Sequence, residues 1–511
     1  MGNEVPQRIA EALRSGEVSD RDSLQRLKMK LCSELGPDKV PPNSEVLALL
    51  SGEERERFLP LLVKKPVKTV SGVSAVAVMT SPYPCPHGKC AYCPGGVENN
   101  SPQSYTGKEP AARRAAMNHY DPYDQVASRI SQLEEVGHPS SKIDLIIMGG
   151  NFTSRDPMYR EWFVKRCFDA MNGRPAASLE EAQAINGSAE HRCVGLTVES
   201  RPDYLMTDKA VEEMMRLGAT RVELGVQILD DEVLKKVSRG HGVAETVRAT
   251  EVCRRHGLLV CYHIMPGLPG SSPENDLRCF RRLFSDPAFR PDGLKFYPAL
   301  VIPGTEMHRW WEAGEYVPPD TATAVALLSE MKSQVPEYVR IQRIQRDIPV
   351  PEIAAGIMQS NLRQLVQENM AKEGLSCRCI RCREAGRSGL PPEGPDGAEL
   401  KTQTYEASGG TEHFISFETG DRIIGYVRLR TDGSGTARIR ELRVAGQETA
   451  VGKEAEGWQH RGYGKRLLAE AEAAAAREGC TRMCVTSAPG AREYYAKLGY
   501  TPAPPYMVKD L

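Results

Sequence analysis

The sequence contains no run of about 18 apolar residues, so nothing in it reads as a membrane span. The segment Met1 to Leu27 is polar and mixed in charge, without the apolar centre of an export signal, which makes the cytoplasm the expected address. Net charge is also nearly absent. Sixty-six basic residues against 67 acidic ones leave −1, so the chain as a whole has no general attraction for nucleic acid, and a polyanion site has to be a local patch. No internal repeat is visible, so the chain is not a stack of like units. What remains is a chain with 26% charged and 40% apolar residues, ordinary for a soluble globular protein. Its 511 residues are too many for one core, and two or more domains are expected.

Cysteine is plentiful. Of the 14, six fall in two tight groups, Cys85/Cys90/Cys93 and Cys377/Cys379/Cys382. In a large chain without an export signal these read as reduced thiols at metal sites rather than as disulfides. The other eight are scattered and fit small buried hydrophobes.

Residues 1–70 read as short polar helices ending in the basic run Lys64-Lys65-Pro66-Val67-Lys68. From 71 to about 350, strand-like runs at 74–79, 143–148, 193–198, 221–226, 258–264, 293–298 and 338–344 alternate with helix-like segments such as 123–136, 207–217 and 243–256. Strand then helix, repeated, predicts an α/β fold with a parallel sheet, closed partly or fully into a β/α barrel. The Gly- and Pro-rich stretch 384–400 reads as a linker. Beyond it, strand-like runs over 412–444, a helix over 463–478 and a strand at 480–487 predict a separate α+β domain.

The run C-P-H-G-K-C-A-Y-C-P-G-G places three thiolates straight after the first predicted strand, where β/α barrels carry their chemistry. Thiolates suit iron–sulfur clusters and zinc alike. A cubane held by three cysteines leaves one iron open, whereas a structural zinc site would close with a fourth ligand, for which His87 is at hand. Later strand ends offer further polar groups: Gly149 and Gly150, Glu199 and Arg201, Gln227, His263 to Pro266, and Lys295 with Tyr297. Each alone is more often a satisfied structural residue; their common place at strand ends makes them a candidate pocket. In the last domain, Gln459, Arg461, Gly462, Tyr463, Gly464 and Lys465 lie between a strand and a helix start, where free N–H groups and the helix dipole suit pyrophosphate. Tyr494 and Tyr495 follow on a later helix, about 100° apart, so at most one faces a ligand there.

The cysteine spacing resembles the radical S-adenosylmethionine (SAM) superfamily, with four residues in the first gap instead of the usual three. The last domain resembles the GNAT acetyltransferases, in which such a loop binds coenzyme A and a late tyrosine faces its sulfur. Together, from about residue 60 onward, they resemble the Elongator catalytic subunit family, tRNA wobble-uridine modifying enzymes. The phrases are S-P-Y-P-C-P-H-G-K-C-A-Y-C-P-G-G, Q-S-Y-T-G-K-E-P, I-M-G-G-N-F, E-S-R-P-D-Y, E-L-G-V-Q, R-G-H, P-G-L-P-G, R-I-Q-R-D-I-P and P-Y-M-V-K. The short cysteine loop and the run C-R-C-I-R-C-R-E resemble the archaeal and bacterial stand-alone form.

This resemblance implies a division into a helical, tRNA-contacting segment (1–70), a radical SAM domain (71–370), a zinc loop with linker (371–400) and an acetyl-CoA-binding GNAT domain (401–511). It implies a 4Fe-4S cluster on Cys85, Cys90 and Cys93, with SAM and acetyl-CoA as co-substrates and zinc on Cys377, Cys379 and Cys382. The reaction implied is tRNA uridine 5-carboxymethylation, with the methyl carbon of acetyl-CoA as the added carbon. Contacts to acetyl-CoA fall on Lys142, the strand Glu441, Leu442, Arg443 and Val444, Tyr463 to Lys465, and Tyr495. Partners are tRNA through its anticodon stem-loop and an electron donor, with no membrane; the chain acts alone or as a homodimer. Candidate phosphate contacts are Lys64/Lys65/Lys68, Arg113/Arg114, Arg340/Arg343/Arg346 and Arg378/Arg381/Arg383/Arg387. The competing reading is a protein lysine acetyltransferase with the barrel as scaffold. An RNA-binding scaffold and a methylthiolating radical enzyme are further alternatives.

Overall fold

A computed structural model describes residues 4–37, 40–63, 72–389, 397–446 and 462–511. The basic run at 64–68, together with Gln459 and Arg461, lies outside the described residues.

Four helices between Glu4 and Leu62 enclose a small core of their own, formed by Val5, Ile9, Leu13, Leu24, Val46, Leu47 and Leu62. Their starts are well specified. The side chains of Asp20 and Ser51 each accept the N–H three residues on, and each backbone N–H donates to that residue's side chain in return, a reciprocal cap at each helix N-terminus.

Next comes a seven-stranded sheet in sequential order: β1 (Ser74–Met79), β2 (Lys142–Met148), β3 (Arg192–Ser200), β4 (Arg221–Gln227), β5 (Leu259–Ile264), β6 (Gly293–Phe296) and β7 (Arg340–Arg343). Every neighbouring pair is parallel. Parallel neighbours in sequence order, each linked through helix, curve one way and form a half-barrel. On β2, Ile143, Leu145 and Ile147 are fully buried under helices, while Asp144, Ile146 and Met148 on the other face are half-buried. On β1 the matching residues are Ala75, exposed, and Ala77, half-buried. The convex face is thus the packed core and the concave face is open.

The second sheet runs β13-β14-β12-β11-β10-β9-β8, with β8 (Glu399–Ala407), β9 (Gly410–Thr419), β10 (Arg422–Thr431), β11 (Thr436–Val444), β12 (Arg482–Thr486), β13 (Thr501–Ala503) and β14 (Tyr506–Asp510). All its pairs are antiparallel except β11 with β12. That parallel pair stops at Ile439 and Val485 while β11 runs on to Val444, so the two strands splay apart. The helix Tyr463–Arg477 packs Leu467, Leu468, Ala471 and Ala475 onto this sheet.

Two features of the stretch read as a linker depart from that reading. Glu384 is buried, bridged to Ile423 and paired with Arg340, and β8 has already begun at Glu399. Among the described residues no helix is long and apolar enough to cross a membrane.

Candidate functional site

The loop after β1 carries the three thiols. Gly88, in the left-handed region, returns its N–H to the Cys85 carbonyl, and Cys93 does the same to Cys90. These two turns put Cys85, Cys90 and Cys93 on the wall of an open cavity at the C-terminal ends of the strands. Buried Arg239 donates to Cys90 Sγ at 3.5 Å, and the Ser104 N–H donates to Cys93 Sγ at 3.2 Å. Burial pushes the Cys85 and Cys93 thiols above their ordinary value, so a bare thiolate is costly there and a bound cation would offset that cost.

The donor set fits a cluster and not a single ion. The sulfurs of Cys377, Cys379 and Cys382 all lie within 4.8 Å of one another, and those of Cys85, Cys90 and Cys93 do not. Zinc–sulfur bonds of about 2.3 Å put tetrahedral sulfurs roughly 3.8 Å apart. His87 sits between Cys85 (Nδ1, 2.9 Å) and Cys90 (Nε2, 3.2 Å), using a different nitrogen toward each, an arrangement one ion cannot share. Burial, then Arg201 and Arg239, holds the His87 imidazolium down at about 4, so the ring is neutral near pH 7.

The polar groups at later strand ends line the same cavity. Glu199 accepts the Tyr105 hydroxyl at 2.8 Å. Arg201 is buried against Asp203 (2.9 Å) and the Gly240 carbonyl (2.9 Å), and its Nη1 has no partner. Gln227 adopts a left-handed φ of 71°, and its buried Oε1 is likewise unpartnered. These two orphaned groups, a donor and an acceptor, suit a ligand bearing a carboxylate and hydroxyls or amino groups. Gly150 lines the cavity (φ 91°), with a would-be Cβ 2.8 Å from the Gln103 carbonyl. Gly149 does not line it; a side chain there would collide with Thr80. On the far wall, Glu223 on β4 accepts from both Lys295 and His263 Nε2, the latter at 2.9 Å. Burial alone would raise the Glu223 carboxyl; Lys295 and His263 hold it below the usual carboxylate range.

At the other domain, Gly462 (φ 81°) opens the helix Tyr463–Arg477. The Tyr494 hydroxyl reaches that helix start, 2.8 Å from the position a Cβ on Gly464 would take. Tyr495 is instead buried in the domain core against Tyr500. Tyr463 is buried edge-on to Phe417. Glu441 is tied to Tyr426 (3.0 Å) and Arg428 (2.9 Å). Lys142, at the start of β2, lies roughly 20 Å from the cysteine end of that strand at about 3.3 Å per residue. Its register partner Arg192 pairs with Glu493, beside Tyr494, and the turn at Gly490 sits on Arg192 and Cys193. The splayed end of the second sheet therefore meets the N-terminal edge of the half-barrel. The concave row Ala75, Ala77, Asp144 and Ile146 leads from that edge toward the thiol cavity.

Family models for the "Radical SAM superfamily" match residues 81–281, and for the "Radical_SAM C-terminal domain" residues 291–372. The "ELP3 N-terminal domain" matches 3–70 and the "Acetyltransferase (GNAT) family" 382–500. The tRNA uridine(34) acetyltransferase of Methanocaldococcus infernus is 48% identical, covering 99% of this chain and 98% of its own length. The human Elongator complex protein 3 is 37% identical over 99% of this chain and 96% of its own. The chain belongs to the Elongator complex protein 3 family. It is a radical SAM enzyme with a GNAT acetyltransferase domain. The structure of the archaeal Methanocaldococcus infernus Elp3 lacking residues 1–46 resembles it with a TM-score of 0.77 at 46% identity, covering 87% of this chain and 100% of that one.

The phrases shared with this family converge in space: Tyr105, Gly150, Arg201, Glu223, Arg239 and Arg343 all line the one cavity. Tyr105, Glu223 and Arg239 were missed as site residues by strand-end reasoning, although each sits inside one of those phrases, and Arg343, expected at phosphate, lines the cavity instead. Several of the expected phosphate contacts form ion pairs within the chain. Arg378 pairs with Glu337 and Asp421, Arg383 with Glu337, Glu418 and Asp421, and Arg340 and Arg387 with Glu384. These guanidiniums brace the domain junction. Arg113 is exposed and forms no ion pair among the described residues.

Proposed function

We propose that the chain is a tRNA uridine 5-carboxymethyltransferase acting on wobble uridine 34, with SAM as radical source and acetyl-CoA as carbon donor. The observation that carries this reading is the docking of the splayed acetyltransferase sheet on the same half-barrel that holds the three-thiol cavity. The two relatives' names, tRNA uridine(34) acetyltransferase and Elongator complex protein 3, support the substrate.

Cys85, Cys90 and Cys93 would hold a 4Fe-4S cluster, which would supply the electron for SAM cleavage. Arg239 steadies the Cys90 thiolate, and the free Nη1 of Arg201 and Oε1 of Gln227 orient the SAM polar groups. Gly462 to Lys465 and Tyr494 hold acetyl-CoA at the helix start, with Lys142 at the mouth of the concave face. Zinc on Cys377, Cys379 and Cys382 braces the junction; their sulfur spacing suits one tetrahedral ion.

Anaerobic protein given tRNA, SAM, dithionite and acetyl-CoA should yield 5-carboxymethyluridine by nucleoside mass spectrometry. In the same preparations, serine variants of Cys85, Cys90 or Cys93 should lose iron but keep zinc, and those of Cys377, Cys379 or Cys382 the reverse. Acetylation of a peptide with no modified uridine would sink this reading in favour of a protein acetyltransferase.

A further inference from the structure

His263 is a cavity residue that the mechanism above leaves unused. Its Nε2 lies 2.9 Å from Glu223 Oε2, and the same carboxylate takes the ammonium of buried Lys295. A carboxylate held ionised by a lysine can only accept, so Nε2 of His263 carries the proton. In that tautomer Nδ1 is an acceptor, and no hydrogen bond to it is found among the described residues. The ring lines the cavity, with Tyr297 packed edge-on against it at a centroid distance of 5.1 Å. Tyr105, Tyr297 and Arg343 line the same space and offer flat faces on which a base can stack.

We propose that His263 reads the Watson–Crick edge of the target base, accepting the uracil N3–H at Nδ1, with Glu223 and Lys295 as the positioning pair that fixes its tautomer. The inference rests on the tRNA-uridine reading above and assigns its base selectivity. Uracil presents a donor at N3. Cytosine presents a lone pair there, and acceptor against acceptor repels. An acceptor that faces a lone pair or a methyl group gains no hydrogen bond there, which makes one such contact a discriminator.

The test is competition binding of anticodon stem-loops to the anaerobically reconstituted holoenzyme, read against a fluorescent loop carrying uridine at position 34. Replacing that uridine by cytidine or 3-methyluridine should weaken binding about tenfold or more. His263→Ala should bring the three loops within about twofold of one another. His263→Asn, whose amide oxygen is still an acceptor, should keep part of the preference. Equal binding of all three loops by the wild type overturns the proposal, as does a preference that survives His263→Ala. A fall in SAM affinity with the base preference intact assigns His263 to the cofactor and also overturns it. Carboxymethyluridine measured in the same samples separates the two readings. Product from uridine without base discrimination removes only His263's role, whereas discrimination without product removes only the proposed reaction.

Discussion

His241 sits behind the thiol loop with its ring nitrogens 3.2 Å from the carbonyls of Gly242 and Gly225. Burial, then the nearby Arg239, drives its imidazolium down to about 3. An unfolded chain protonates such a ring near the ordinary value of about 6.5. Between these values the unfolded state binds the extra proton, so stability present above pH 6.5 is lost as pH falls toward 3. The wild-type melting temperature should therefore drop between pH 7.5 and 5 by more than that of His241→Gln, in thermal scans of both proteins. His241 belongs to the phrase R-G-H, which the sequence offered as a family mark; only the fold shows that Arg239, two residues before it, serves Cys90.

At the scale of elements, the strand and helix pattern of residues 71–350 was nearly all legible. The seven runs read from alternation fall on the seven strands observed, because buried parallel strands are short apolar runs. β8 escaped that reading. Its sequence E-L-K-T-Q-T-Y-E-A is polar and exposed along most of its length, an edge strand held by backbone pairing to β9. Edge strands carry little hydrophobic signal. The helix start at Gly462 to Lys465 makes a sharper prediction. Alanine at a helical glycine usually gains about 1 kcal/mol, yet a methyl group on Gly464 meets the Tyr494 hydroxyl at 2.8 Å. Gly464→Ala should weaken coenzyme A binding by about 1–2 kcal/mol, and adding Tyr494→Phe should recover part of that loss, since contacting residues couple by roughly 0.5–3 kcal/mol. Calorimetric titration of both variants checks this.

At the scale of the whole molecule, the domains are joined by buried charge rather than by an apolar seam alone. Arg440 bridges Asp292 at 2.8 Å and Glu412 at 2.8 Å, and Arg254 reaches Glu412 at 2.9 Å. Arg428 continues the network from Asp292 to Glu441, on the strand expected to contact acetyl-CoA. Removing one member leaves an uncompensated buried charge, so Arg440→Met should cost about 3–5 kcal/mol. Urea unfolding should show that loss, and should split into two transitions if the network is what makes the domains unfold together. None of these pairings could be read from sequence, because Asp292 and Arg440 lie 148 residues apart.

The sequence by itself determined the alternation of strands and helices, the two cysteine groups, the glycine-led helix start and the family phrases. Each depends on residues within a few positions of one another, where backbone periodicity and loop geometry act. Only the tertiary structure decided that the sulfurs of Cys377, Cys379 and Cys382 converge within 4.8 Å of one another while those of Cys85, Cys90 and Cys93 do not. The same holds for Tyr494 rather than Tyr495 standing at the helix start, and for Arg378, Arg383 and Arg387 pairing with carboxylates. Those outcomes turn on which distant side chains the half-barrel and its docked sheet bring within a few ångströms, and a local pattern does not carry that information.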